Sequence, residues 1–347
     1  MHTPEHLLAL AQEITRCHSL LALQPDAVQR VPHYAASFSQ RAVDQAQTEA
    51  DAVQLAVMAA CRALDFIDAD AQCIASAWQQ QTERTGQFDA TTWPTEPQDF
   101  GLRSSSVNSS KSPQMLPQQG RDGHITGTAQ HDHKGRFPAD AFAACPHQLG
   151  LYAVLPDAAW VGRMARAGVP TLQLRFKSDD VAAVHREVAA AVRAVQETAA
   201  LLFINDHWQA ALDAGAYGVH LGQEDLEGVN KADLVAIRAA GLRLGVSSHG
   251  YAEMRRADAV SPSYIALGAV FATTLKRMTT PPQGPARLKM YAQLLRNHAT
   301  VAIGGIDAAR LPEVLASGVG SVAMVRALVA ADQPEAHAAE LQRTMAG

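Results

Sequence analysis

Beyond Cys145 short aliphatic or β-branched runs alternate with helical stretches, and no other feature of the 347-residue chain narrows its fold as much. The runs "LGLYAVLP", "TLQLRF", "ALLFIND", "GVHLG", "LRLGVSS", "YIALGAVF", "TVAIGGI" and "SVAMVRAL" make eight strand candidates. Between them lie stretches such as "DAAWVGRMARAG", "DVAAVHREVAAAVRAVQE" and "KADLVAIRAAG". Strict alternation implies parallel strands joined by crossover helices. Eight such units in about two hundred residues predict an α/β fold, a compact (β/α)8 TIM barrel over residues 146–347. A doubly wound open sheet is the alternative, disfavoured by the count and by the lack of a G-x-G-x-x-G turn after the first strand.

Ahead of the barrel the composition changes. Residues 1–84 are rich in Ala, Gln, Leu and Val, with helical spacing in "EADAVQLAVMAACRALDFIDADAQCIASAWQQQ", and are expected to form a mainly helical N-terminal region of unknown role. Residues 85–145 include "SSSVNSSKSPQMLPQQGRDGHITGTAQHDHKGR", which has too little apolar area to order itself, and are expected to be a flexible polar linker. His131 and His133 in that stretch are read as solvated rather than metal-ligating. With 48% hydrophobic and 18% charged residues the chain can bury a sizeable core.

A net charge of −5 argues against the broad basic surface of a nucleic-acid binder, so any anion site must be local. Cys17, Cys61, Cys73 and Cys145 contain no C-x-x-C pair, which argues against a disulfide scaffold or a structural zinc site. No basic leader precedes an apolar run, and no apolar stretch approaches about 18 residues. The expectation is a cytoplasmic protein with no membrane partner; a homo-oligomer stays open.

"TLQLRFKS", Thr171 to Ser178, sets Gln173, Arg175 and Lys177 at alternate positions with Leu172, Leu174 and Phe176 between them. In a closed parallel barrel the helices cover the outward face, so the polar set is expected to line the upper interior. Cations there are costly unless an anion meets them. Other polar outliers recur at the same place in successive units. Asn205 and Asp206 end the third strand, Gln223 and Asp225 lie just past the fourth, and Ser247 ends the fifth. Thr273 and Lys276 follow the sixth, Gly304 and Gly305 the seventh, and Val325 and Arg326 fall on the eighth. Each alone could be a helix cap or a packing glycine. Together they mark the C-terminal rim, where such barrels bind and react.

Asp206 and Asp225 supply hard oxygens for a magnesium ion, which takes one or two protein carboxylates and completes its shell with water and substrate phosphates. Arg175, Lys177 and Lys276 would surround the same pocket with fixed positive charge, as a diphosphate leaving group requires. Gly304 and Gly305, with the backbone near Val325, match the phosphate site that barrels form after strands seven and eight. Two anion sites point to two phosphorylated small-molecule substrates.

In order and spacing, "QLRFK", "IND", "GVHLGQEDL", "GVSSH", "VFATTLK" followed by "PPQG", and "AIGGI" resemble the signatures of the thiamine phosphate synthase family, from about Gln148 to the C-terminus. The resemblance implies a magnesium-dependent transferase of thiamine biosynthesis. Gln173, Arg175, Lys177 and Asn205 would hold an aminopyrimidine diphosphate, Asp206 and Asp225 would bind magnesium, and Ser247 and Lys276 would contact the same substrate. Thr273, Thr274, Gly305 and the Val325–Arg326 backbone would hold a thiazole phosphate. Family enzymes join the two, releasing diphosphate and, from a carboxylated thiazole, carbon dioxide. Two departures stand out: Leu275 replaces the second threonine of the family's T-x-T-K loop, and Arg326 replaces a small residue.

Two other readings stay open. One is a related thiazole tautomerase, with His249 as acid or base; the other is a non-catalytic sensor of thiamine precursors. The Q-x-R-x-K run, both aspartates and Lys276 speak for the synthase. Every candidate site residue lies after Asp140, so the C-terminal part is expected to carry the activity alone.

Overall fold

Side-chain alternation along each strand sorts the barrel into an inside and an outside. In β1, Gly150–Leu155, the residues Leu151, Ala153 and Leu155 join the large apolar layer under the helices, while Tyr152 and Val154 join a second cluster that fills the lumen. The computed structural model describes residues 3–19, 27–36, 43–44, 46–64, 66–89, 96–103, 141–273 and 282–347. Seven further strands follow: β2 Thr171–Leu174, β3 Leu201–Asn205, β4 Gly218–Leu221, β5 Arg243–Ser248, β6 Tyr264–Leu267, β7 Ala299–Ile303 and β8 Ser321–Met324. They pair in chain order into a closed barrel, sealed where Gly150 of β1 sits opposite Ser321 of β8. The open-sheet alternative is excluded. At least one helix follows each strand.

Short polar signals start several of these helices. Asp157 accepts from the Trp160 amide at 2.8 Å and Asp180 from the Ala182 amide at 2.9 Å, each satisfying a first-turn N–H that has no partner within its helix. In the lumen, Tyr152, Phe203 and Tyr264 lie ring against ring, with centroids 5.1 to 6.0 Å apart. These rings fill part of the barrel lumen with side chains.

The N-terminal region is helical, with helices over Pro4–Ser19, Ala27–Ala35, Glu49–Ala63 and Asp68–Thr85. Thr48 and Asp51 close the start of the third in a reciprocal capping box. This unit shares one continuous apolar core with the barrel's outer layer. Residues 96–103, inside the stretch expected to be linker, pack at the seam: Phe100 is 2% exposed, and the Arg103 amide donates to Asp258 Oδ2 at 2.6 Å. Phe142 is buried too, with the Arg238 guanidinium 4.6 Å from its ring centroid. Single apolar residues in a polar stretch cannot build a core, but they can dock on one that already exists. The barrel therefore does not present a finished surface of its own.

His131 and His133 lie outside the described residues. Cys61, Cys73 and Cys145 are free thiols. Among the described residues no helix is long and apolar enough to cross a membrane.

Candidate active site

The rim is built from the ends of the strands, and its polar groups form two hydrogen-bonded chains. The first starts inside β2. Gln173 is 4% exposed and donates through Nε2 to Asn205 Oδ1 at 2.6 Å; Asn205 Nδ2 in turn donates to Asp206 Oδ2. The carboxylate end can only accept, which fixes both amides. Gln173 Oε1 is thereby left as an acceptor at the rim.

Asp206 sits just past β3 with φ of 64°, a left-handed conformation that Asp and Asn tolerate better than most residues. Its amide donates to the His220 carbonyl at 2.9 Å, which anchors the turn to β4. Burial pushes its carboxyl up to about 6, helped by the adjacent, hydrogen-bonded Asp225 and opposed by the charges of Arg175 and Lys177. Those causes place Asp225, Arg175 and Lys177 each within electrostatic reach of Asp206. Asp225 lies in the short Gln223–Gly228 helix after β4. Two neighbouring carboxylates present hard oxygens to a divalent cation, so the donor set fits magnesium. Among the described residues no cluster of three or more His, Cys, Asp or Glu is arranged to hold a metal.

The structure alters one expectation here. β2 ends at Leu174, so Arg175 and Lys177 are not strand residues lining the upper interior. Arg175 is anchored by its amide, which donates to the Leu155 carbonyl at 2.8 Å; Lys177 is exposed, and Phe176 still packs on the apolar layer. Charged side chains are better solvated above the barrel mouth than within it, and there they still act on Asp206.

The second chain was not legible as a unit in the sequence. Tyr152 Oη lies 2.7 Å from Tyr264 Oη, Tyr264 Oη lies 2.7 Å from His220 Nδ1, and His220 Nε2 lies 2.8 Å from Ser247 Oγ. Burial holds both tyrosines neutral and pulls His220 down to about 4, with Asp225 opposing the latter shift. The fully buried Tyr152 hydroxyl has Tyr264 as its one hydrogen-bond partner among the described residues, so it must donate there or strand a proton at a cost of about 1–3 kcal/mol. Tyr264 then donates to Nδ1, and His220 carries its proton on Nε2 and donates to Ser247. Ser247 is left with its own hydroxyl hydrogen free for a ligand. The signal available in the sequence was His220 itself, a polar residue at an inward position of "GVHLG".

Around these chains the loops are braced. Gln223 Nε2 donates to the Ser247 carbonyl at 2.6 Å, and Arg256 Nε donates to Gln223 Oε1 at 2.9 Å. His249 is held by Glu253, which accepts from its amide at 2.7 Å and lies 2.6 Å from Nδ1. Gln283 Nε2 donates to the Gly268 carbonyl at 3.1 Å.

The thiazole-side residues are less gathered. Gly305 follows β7 with φ of 65°, and a Cβ there would come 2.6 Å from the Ala272 carbonyl oxygen, so the β6 and β7 loops touch at this point. Val325 and Arg326 lie just past β8 rather than on it, and Arg326 is exposed. Thr273 is the last described residue of its loop; Thr274, Leu275 and Lys276 lie outside the described residues.

Comparison with known proteins bears on the same stretch. A family model described as thiamine monophosphate synthase matches residues 151–328. The chain is 54% identical over 188 residues to a protein of Neisseria gonorrhoeae named thiamine-phosphate synthase, covering 54% of this chain and 90% of that one. A protein of the same name from Serratia proteamaculans is 50% identical over 206 residues, 59% of this chain and 96% of that one. Among solved structures, thiamine phosphate pyrophosphorylase from Pyrococcus furiosus superposes with a TM-score of 0.50 at 25% identity, over 57% of this chain and 98% of that one. The N-terminal region is an addition relative to these proteins.

Proposed function

The chain belongs to the thiamine monophosphate synthase family and makes thiamine phosphate, and on that premise we propose which substrates it joins and which residues join them. The substrates are 4-amino-2-methyl-5-(diphosphooxymethyl)pyrimidine and a hydroxyethylthiazole phosphate, carboxylated or not. The bond broken is the methylene C–O bond to diphosphate, which leaves with the electron pair; the bond formed joins that methylene carbon to the thiazole nitrogen. A carboxylated thiazole then also loses carbon dioxide. An electron-rich aminopyrimidine stabilises the cation between the two steps, so no general base is needed to start the reaction.

One observation supports this reading: Asp206, hydrogen-bonded to Asp225, feels the charges of both Arg175 and Lys177 at the barrel mouth. Arg175 and Lys177 meet the diphosphate as charge develops on it. Bound by Asp206 and Asp225, magnesium would neutralise part of the same developing charge. Gln173 Oε1 as acceptor and Ser247 Oγ as donor are complementary to an amino group and a ring nitrogen, the two polar features of an aminopyrimidine edge. Asn205 keeps Gln173 in that orientation. On the thiazole side, Thr273, Thr274, Gly305 and the Val325 and Arg326 amides would take the phosphate, and Lys276 would reach the diphosphate.

The test is a magnesium titration of the coupling rate for wild type, Asp206→Asn and Asp225→Asn, starting from chelator. Both variants should need more magnesium and turn over more slowly. Full activity in chelator, or three superimposable metal curves, would end this reading.

A further inference from the structure

The N-terminal unit reaches the rim through one buried carboxylate. Asp70, in the Asp68–Thr85 helix, is 5% exposed, and its Oδ1 accepts from the Ala252 amide at 2.9 Å. Ala252 lies in the first turn of the Tyr251–Ala259 helix, which follows β5 and has Gly250 at its cap position. Gly250 can cap nothing itself, and the Asp70 side chain fills its place: a Cβ built on Gly250 would overlap the Asp70 carboxylate. A residue 182 positions away thus supplies the cap that the barrel's own sequence leaves out.

Further contacts hold the seam. The Phe100 ring stacks on Tyr251 with centroids 4.9 Å apart, Tyr251 meets Tyr291 edge-on, and Arg255 donates to the Cys73 sulfur at 3.6 Å. From the capped helix, two side chains run to the rim. Glu253 accepts from the His249 amide, and Arg256 holds Gln223, which holds the Ser247 carbonyl. Gln223 also begins the short helix that carries Asp225.

We propose that Asp70 is a positioning residue for the coupling reaction, through which the N-terminal unit sets the Ser247–Ala252 loop and, by way of Arg256 and Gln223, the aminopyrimidine diphosphate half of the site. This rests on the substrate placement given above. It assigns the N-terminal region a role in catalysis without any residue of that region touching substrate.

The experiment is a double-mutant cycle in the full-length enzyme with Asp70→Ala, Asp70→Asn and Gly250→Ala. Kinetics for both substrates are read beside hydrogen exchange of residues 247–256. Asp70→Ala should raise the KM for the pyrimidine diphosphate and lower kcat/KM about ten-fold, the scale of a lost cap, with the KM for the thiazole phosphate unchanged. Asp70→Asn keeps an acceptor oxygen and should restore most of the loss. Gly250 has φ of −179°, which alanine adopts freely, so Gly250→Ala should act only by displacing the carboxylate. It should therefore mimic Asp70→Ala and add nothing to it. Exchange in 247–256 should quicken in both single alanine variants.

Unchanged pyrimidine kinetics in both alanine variants, additive effects in the double variant, or equal losses with Asn and Ala would each overturn the proposal. If Asp70→Ala does not fold, Gly250→Ala and Asp70→Asn decide it alone. Failure of the substrate assignment is distinguishable: wild type would then not couple the two compounds, while the exchange cycle would still report whether Asp70 holds the loop.

Discussion

Replacing Asp206 with Asn should make the free protein more stable at neutral pH while slowing its turnover. The carboxyl titrates at about 6 in the fold against 3.8 in the unfolded chain, so its protonated form contributes stability below about pH 4. That contribution is lost as pH rises through 6. The difference corresponds to roughly 3 kcal/mol, and solvent screening at a half-buried rim position reduces it to about 1–2 kcal/mol. Asn matches the protonated acid in shape, keeps an oxygen for the Asn205 amide, and suits the left-handed backbone at φ of 64°. Asp206→Asn should therefore equal wild type near pH 4 and exceed it by about 1–2 kcal/mol at pH 7.5, or about 1–3 °C in Tm. His220 works in the opposite direction. Its pKa is pulled down to about 4, so it favours the fold above its unfolded value of 6.5 and loses that contribution as pH falls. Wild type should thus show a shallow pH dependence between 4 and 6, and the variant a steeper loss in acid. Urea unfolding in chelator at pH 4, 5, 6 and 7.5 measures the gap. A gap that is absent at pH 7.5, or the same at both ends, would refute the burial-raised titration of Asp206; saturating magnesium should narrow it, since wild type binds the ion better.

Arg175→Ala should cost roughly 2–4 kcal/mol of transition-state stabilisation, read as kcat/KM, because its charge meets the charge that develops on the diphosphate. A folded variant within a few-fold of wild type would remove Arg175 from the diphosphate site. Tyr264→Phe should strand the Tyr152 hydroxyl and free the His220 tautomer. Urea unfolding should show a loss of about 1–3 kcal/mol, and adding Tyr152→Phe should recover most of it while activity stays low. Full activity in Tyr264→Phe would mean that Ser247 does not need its proton directed.

The barrel was legible because its signal is periodic: eight apolar runs, each with an inward and an outward set, leave little choice of closure. Asn205, Asp206, Asp225, Ser247 and Gly305 all fall at or shortly after the C-terminal ends of their strands, which the same periodicity makes readable. What escaped depends on partners far away in the chain. Asp70 reads as one more acidic residue in a helix's first turn until the Ala252 amide is brought to it. Phe100 and Phe142 sit in sequence too polar to predict burial and are ordered only by the surface they meet. The end of β2 is not readable from alternation alone, which continues through Lys177, three residues after the ladder stops at Leu174. His220 was visible as a polar residue, but its partners Tyr152, Tyr264 and Ser247 come from three other strands.

The seam between the N-terminal helices and the barrel also sets an order of events during synthesis. Asp70 leaves the ribosome more than two hundred residues before Tyr291, whose ring completes the aromatic stack at that surface. At about 5–20 residues per second, the helices wait on the order of 10–40 s with their docking face uncovered. They can form early, but they reach their final packing only when the last third of the barrel arrives. A ribosome that stalls inside the β5 to β7 region would therefore leave the helices without the finished barrel surface on which they dock.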